Sequence, residues 1–422
     1  MLSHDENGLL TRTGPDTPMG ETLRRYWMPA LLASEISEAD CPPVRVKLLG
    51  EDLLAFRDTQ GRVGLVDEFC AHRRTSLWLG RNEECGIRCV YHGWKYDVDG
   101  RCVDMMNEPA ESRLREEVRI TAYPTVDLGG IIWAYMGPPD LRPPEPAFEW
   151  TQVSEEQRGV SKNWQECNWL QALEGGVDTA HVPILHRNFT ANTTKGGYAP
   201  NSTFAKAGPP TVEVDTTDYG YRYAGIRSFG DDEIFVRTYH FVMPFHQFRP
   251  GENTVTPYTT GHIWVPIDDD NCMVYNWAYS TNGDPFDEWD MVETRLGRGP
   301  GQLQPDFRSI RNMDNQYLID RVMQKNENFT GIEGVNNQDQ AVQEMMGAVV
   351  DRTREYLTSS DLTIVQLRRL LLEAVRTVSD GGDPPGARSA YYKLRALDRI
   401  MPKGASWRDE MLPDMYPDSV SR

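Results

Sequence analysis

The rhythm of apolar and polar positions changes along the chain and divides it into segments. Residues 1–40 carry helical spacing: Thr17-Pro18-Met19-Gly20-Glu21 opens a run in which Leu23, Tyr26 and Trp27 recur as one helix face would have them. Over 41–137 the pattern becomes short strands. Val44–Leu48, Leu53–Arg57 and Val63–Val66 are split by Gly50-Glu51-Asp52 and Gln60-Gly61-Arg62, and further strands are predicted at Ile87–Val90, Lys95–Val98 and Ile131–Tyr135. Residues 138–150 form a linker, because five prolines within the nine residues from Pro138 to Pro146 exclude both helix and central strand. Residues 151–422 mix both periods. A helix is predicted over 164–180, strands at Val212–Val214, Ile234–Val236 and His262–Val265, and helices over 338–356 and 362–378. Ser360-Asp361 is expected to cap the last of these, whose apolar residues recur at 364, 367, 371, 374 and 378. The fold class is therefore α+β: a small all-β domain, then a larger domain of helices and antiparallel sheet, on which the N-terminal segment is expected to pack.

Composition narrows the partners. With 39% hydrophobic and 25% charged residues the 422-residue chain has the make-up of a globular protein large enough for two cores. A formal charge of −19 lacks the basic footprint that nucleic acid demands and repels anionic membranes. Apolar runs such as Gly130–Met136 are too short to span a bilayer, and the first residues lack a basic and an apolar signal region. A cytoplasmic protein is expected. Seven cysteines, an odd number, then point to metal ligation or burial rather than a disulfide framework. Cys41, Cys85, Cys102, Cys167 and Cys272 are read as small buried side chains.

The remaining two belong to a motif. Cys70-Ala71-His72 is followed, after sixteen residues, by Cys89-Val90-Tyr91-His92. Each half supplies one thiol and one imidazole, so two thiolates can hold one iron and two imidazoles the other, the ligand set of a Rieske [2Fe–2S] cluster. Zinc is the competing reading, yet zinc sites pair like ligands as C-x2–4-C with H-x3–5-H. Gly93 suits a loop packed closely after the last ligand.

A second constellation follows the linker: Asp178-x-x-His181-x4-His186. On a helix Asp178 and His181 would share a face, and Pro183 would break that helix so that His186 swings back beside His181. Two such histidines fill two positions of a facial triad and leave a third for a carboxylate. A plain Rieske electron carrier would leave this constellation idle, and a zinc-stabilised binding protein would leave both without redox chemistry.

In these motifs, and in their order along nearly the whole chain, the sequence resembles the α (oxygenase) subunits of Rieske non-haem iron oxygenases. Within them it is most similar to the phthalate 4,5-dioxygenase-like branch, through Thr17-Pro18-Met19-Gly20, Tyr26-Trp27-Met28-Pro29-Ala30, Arg88–Lys95 and Leu173–His181. The resemblance implies a [2Fe–2S] cluster, one mononuclear Fe(II) at which O2 is activated, and a separate NAD(P)H-dependent reductase, with or without a ferredoxin. It implies that Asp178 carries electrons between neighbouring subunits, in a homotrimer or a hexamer of stacked trimers. It implies Asp339 as the third iron ligand, with Glu333, Glu344 and Asp351 as other carboxylates of that region. The substrate implied is an aromatic carboxylic acid, hydroxylated as a cis-diol in phthalate fashion; O-demethylation of a methoxylated acid and dioxygenation of a halobenzoate are the alternatives. Arg222, Arg227, Arg237, Arg249 and Lys206 are the cations on or near the strands that could meet such an acid. Pro210-Thr211 departs from the arginine that the phthalate enzymes carry before the strand at Val212.

Overall fold

The predicted hairpins form where their turn residues place them. Val44–Leu48, Glu51–Arg57 and Val63–Asp67 make a three-stranded antiparallel sheet, and Arg81–Glu83, Gly86–Arg88, Trp94–Tyr96 and Cys102–Met105 make a four-stranded one. This is a computed structural model, and it describes residues 2–109, 111–251, 255–388 and 393–417. The chain divides into two units, Thr13–Glu145 and a second made of Met1–Arg12 with Pro146–Arg422. The first unit packs Leu54, Phe56, Val66, Leu77, Ile87 and Tyr96 around Cys70 and Cys89.

One expectation for the N-terminal stretch changes. Helices cover His4–Thr11 and Pro18–Leu23, but Trp27–Leu32 is a strand paired antiparallel with Ile131–Tyr135. Of the residues read as one helix face, Leu23 ends the second helix and Trp27 opens this strand, which is buried on both sides, where a continuous apolar run fits either structure.

The second unit is built on one antiparallel sheet. Its strands are β1 (Arg158–Gln165), β2 (Thr211–Thr216), β3 (Gly220–Phe229), β4 (Glu233–Val242), β5 (His246–Pro250), β6 (Tyr258–Pro266), β7 (Cys272–Ser280) and β8 (Asp398–Pro402). They run in the order β1-β7-β6-β5-β4-β3-β2, with β8 pairing the first half of β4. Four helices matter for the site: α1 (Trp169–Val177), α2 (Val182–Leu185), α3 (Val335–Glu344) and α4 (Leu362–Ser379). The helix expected to run to residue 356 ends at Glu344, and Met345, Met346 and Val349 beyond it are exposed. Asp361 stands before α4, but its carboxylate accepts from Thr358 N at 2.6 Å rather than capping α4 itself.

Close packing fixes α1 against its neighbours. A Cβ on Gly175 would lie 2.1 Å from Gln343 of α3, and one on Gly176 would lie 2.1 Å from the Trp264 ring of β6. Only glycine lets the helix approach that far. Just before them Glu174 is buried and accepts from Arg352 Nε at 3.0 Å and Arg368 Nε at 2.6 Å, tying α1 to α4 and to the chain after α3. No helix among the described residues is long and apolar enough to cross a membrane.

Candidate metal centres

In the first unit the two motif halves come together at strand ends. Cys70 and His72 lie in the loop after Val63–Asp67, and Cys89 and His92 lie between Gly86–Arg88 and Trp94–Tyr96. The thiols of Cys70 and Cys89 are buried, and the imidazoles of His72 and His92 stand edge to face with centroids 4.4 Å apart. Their Nδ1 atoms are both buried and both without a hydrogen-bond partner. Two bare imidazole nitrogens beside two buried thiols fit the donor set of a [2Fe–2S] cluster of Rieske type. Gly93 has φ +76°, and a Cβ there would meet Met106 at 2.6 Å, so the second loop closes only with glycine.

Tyr96, which motif spacing does not reveal, supports this loop pair. Its hydroxyl accepts from Ala71 N at 3.1 Å, which leaves its proton for Cys70 Sγ at 3.3 Å. The ring of His72 stacks on Trp94 at 4.6 Å. Of the other cysteines, Cys102, Cys167 and Cys272 are buried, whereas Cys41 and Cys85 are only half-buried; all are free.

In the second unit the helix ends earlier than its sequence pattern suggests. α1 stops at Asp178, whose backbone turns extended; Oδ1 of its carboxylate then accepts from Ala180 N at 2.6 Å, a side-chain-stapled turn. His181 follows as the N-cap of α2, with Pro183 in its first turn, where a missing N–H costs nothing. Asp178 and His181 thus meet through a turn and not along a helix face, and Pro183 starts a helix rather than breaking one. The outcome is still a pair: His181 Nδ1 is 3.0 Å from Asp178 Oδ2.

The Nε2 atoms of His181 and His186 lie 3.3 and 3.2 Å from Asp339 Oδ1. One donor atom from each of the three falls within 4.8 Å of the other two. This is two imidazoles and a carboxylate on one side of a point, the arrangement of a facial triad. Glu333 instead pairs with Arg311, Glu344 accepts from Tyr317 at 2.6 Å, and Asp351 caps Thr353. Burial works against a charged imidazole at His181, yet its hydrogen bonds to the Asp178 and Asp339 carboxylates outweigh it and push its pKa up to about 10. Burial likewise opposes ionisation of Asp339, and the two histidines reverse this and hold it well below the carboxylate range. The trio is built to stabilise positive charge.

The Nδ1 of His186 is held by Gln338 Oε1 at 2.8 Å, and Gln338 Nε2 donates to Ile332 O at 2.9 Å. The second bond orients the amide, so Oε1 can only accept, and Nε2 of His186 is left with its lone pair toward Asp339. Arg227 does not reach the cavity beside the trio. It is fully buried, and its Nη2 donates to Thr179 O at 2.6 Å and Oγ1 at 2.9 Å, clamping the turn between Asp178 and His181.

That cavity is lined by the trio, by Trp264, Val274 and Leu296, and by Arg237, Arg249 and Arg298, among others. Of the cations expected near a substrate, Arg237 and Arg249 are in its wall. Arg222 is turned to Asp215 at 3.1 Å and Lys206 is exposed, while Arg298, which lies on none of the predicted strands, joins the wall.

Comparison with known proteins covers both units. Residues 26–124 match the Rieske [2Fe-2S] domain model and residues 134–419 the LigXa C-terminal domain like model. The chain is 40% identical to the phthalate 4,5-dioxygenase oxygenase subunit of Pseudomonas putida, over 97% of this chain and 94% of that one. It is 35% identical to the 3-chlorobenzoate-3,4-dioxygenase oxygenase subunit of Comamonas testosteroni (95% and 96% covered). Against the 5,5'-dehydrodivanillate O-demethylase oxygenase subunit of a Sphingobium strain identity is 32% (100% and 90% covered). The solved structure of Pseudomonas putida CBB5 NdmA with caffeine shares the fold at a TM-score of 0.63 and 17% identity, covering 92% of this chain and 100% of that one.

Proposed function

The chain belongs to the Rieske non-haem iron oxygenases, and on that footing we propose that it hydroxylates an aromatic carboxylic acid as the terminal oxygenase of a multi-component system. The observation that carries the substrate class is the cavity wall, where Arg237 and Arg249 share one enclosure with His181, His186 and Asp339. A guanidinium presents a planar fork that matches a carboxylate. Trp264, Val274 and Leu296 offer the ring an apolar surface.

When bound, the cluster supplies single electrons and the mononuclear iron supplies the centre at which O2 is activated. Cys70 and Cys89 would hold one cluster iron, His72 and His92 the other. His181 and His186 through Nε2, with the carboxylate of Asp339, would hold the mononuclear iron. Gln338 keeps the proton of His186 on Nδ1, and Asp178 orients His181. Asp178 also carries electrons in from a neighbouring subunit's cluster domain, which makes the working form a ring, a homotrimer or two stacked trimers. Electrons come from a separate NAD(P)H-dependent reductase, and a cytoplasmic location goes with this reading.

The reaction proposed is cis-dihydroxylation: both atoms of O2 and two hydrogens are added to the ring, with two electrons and two protons consumed. O-demethylation is the second reading, favoured by the demethylase relative that matches the whole chain. There one oxygen atom leaves as water and the methyl group leaves as formaldehyde. Single turnover of reduced, iron-replete protein with 18O2 and a panel of phthalates, benzoates and methoxylated benzoates separates them. Two labelled atoms in the product establish dihydroxylation, and loss of CH2 with formaldehyde establishes demethylation. Failure to oxidise any aromatic acid would sink the substrate class.

A further inference from the structure

The sheet beneath the cavity carries a row of polar side chains whose inner end has no partner. Antiparallel register sets Ser161 of β1 beside Asn276 of β7, Asn276 beside His262 of β6, and His262 beside Gln247 of β5. Residues opposed in this way project from the same face of a sheet. The row is hydrogen-bonded in one direction only. At its far end Arg298 and Glu293 form a buried ion pair at 2.5 Å, and Ser161 Oγ donates to Glu293 Oε2 at 2.5 Å. Having given its proton away, Ser161 Oγ accepts from Asn276 Nδ2 at 3.2 Å, and the same Nδ2 donates to Asn163 Oδ1 at 3.1 Å.

Asn276 therefore presents its oxygen to His262, and the 2.7 Å contact with Nδ1 requires the proton to sit on that nitrogen. Nε2 of His262 is left as a bare lone pair, buried and without a partner. Gln247 repeats the pattern. Its Nε2 donates to Gly176 O and, at 2.8 Å, to Tyr223 Oη, so its Oε1 is a second buried acceptor without a partner. Both residues line the cavity that holds the trio. Protonation is no escape for His262, because burial and the guanidiniums of Arg249 and Arg298 hold its pKa well below the usual imidazole range. A buried acceptor left unpaired costs about 1–3 kcal/mol, so the wall is built for something that brings a proton to it.

We infer that the substrate is an aromatic acid that also bears a hydrogen-bond donor, a phenolic hydroxyl or ring amine, received by His262 Nε2 and Gln247 Oε1. This rests on the aromatic-acid reading above and narrows it. A benzenedicarboxylate ionised at both groups brings only acceptors, and would set a carboxylate against two lone pairs.

The test is calorimetric titration of the oxygen-free holoenzyme with benzoate, 3- and 4-hydroxybenzoate, their methyl ethers, the matching aminobenzoates and phthalate. At least one hydroxy or amino acid should bind about 10-fold or more tighter than its methyl ether and than phthalate. In His262→Leu that gap should close to within about 3-fold while benzoate itself keeps its affinity, and His262→Gln, which retains an acceptor, should keep part of the gap. Gln247→Leu reads the same gap independently if His262→Leu loses its cluster absorbance on purification. Equal affinity for the hydroxy acid and its ether, a gap that survives His262→Leu, or phthalate as the tightest ligand each overturn the inference and leave the aromatic-acid reading standing. Binding of none of the acids overturns both.

Discussion

Gln338 and Asp339, neighbours on α3, hold opposite nitrogens of one imidazole: Oε1 of Gln338 is 2.8 Å from His186 Nδ1, and Oδ1 of Asp339 is 3.2 Å from its Nε2. One helix start thus provides both a proposed iron ligand and the group that sets the tautomer of another. Outer partners of this kind are worth about 10–100-fold in metal affinity. Gln338→Leu is expected to weaken iron binding by about that factor, measured by chelator competition, while cluster absorbance stays at the native level. Unchanged iron affinity would reduce Gln338 to a packing role.

Asp178→Asn keeps the size of the side chain and an oxygen for Ala180 N, but removes its charge. The expected outcome is near-native iron and cluster content, with oxidation of the reduced cluster slowed by about 10-fold or more in stopped flow with substrate and O2. Native rates would remove Asp178 from the electron path and leave it as the orienting partner of His181 alone.

Tyr96→Phe removes a single O–H from the sulfur of Cys70. Hydrogen bonds to cluster sulfurs stabilise the reduced state, and one such bond contributes about 1 kcal/mol. For a one-electron couple that corresponds to a potential lower by about 40 mV, read by redox titration of the cluster's absorbance. A potential within experimental error of the parent would show that the hydroxyl is not donating to sulfur.

The parts of this protein that could be read from sequence are those whose signal is local. Cys70, His72, Cys89 and His92 announce themselves by spacing, and Val44–Leu48 and Ile131–Tyr135 form as strands over the stretches that alternation and β-branched content predicted. Trp27 was misread because its run is buried on both faces and so has no period to betray a strand. The Asp178–His181 pair was found for the wrong geometric reason, since three-residue spacing serves a stapled turn as well as a helix face. Gln338, Tyr96 and His262 could not be found at all. Each acts through a partner that chain spacing does not mark, 152 residues away for Gln338, 26 for Tyr96 and 14 for His262, and neither an amide, a phenol nor a lone strand histidine carries a metal-ligand pattern of its own.

Arg352→Ala tests the packing behind α1. Arg352 is fully buried, reaches Glu174 at 3.0 Å and donates to Asn7 Oδ1 at 3.0 Å, so its loss leaves a buried carboxylate with one remaining cation, Arg368. Breaking one side of a buried pair costs about 3–5 kcal/mol, and the apparent Tm should fall by roughly 5–10 °C in calorimetry. A change of under about 1 °C would mean that Arg368 alone satisfies Glu174.

The glycine pair in α1 has a consequence for how such an enzyme can be retargeted. Gly175 and Gly176 pin α1 to Gln343 and Trp264 by backbone proximity, and the histidines and carboxylate sit at the two ends of α2 and on α3. The row from Ser161 to Gln247 hangs from the sheet. On the proposed roles, oxygen chemistry and molecular recognition are carried by separate scaffolds that meet at one wall, so strand residues can be exchanged to accept a new ring while the helices proposed to hold iron keep their positions.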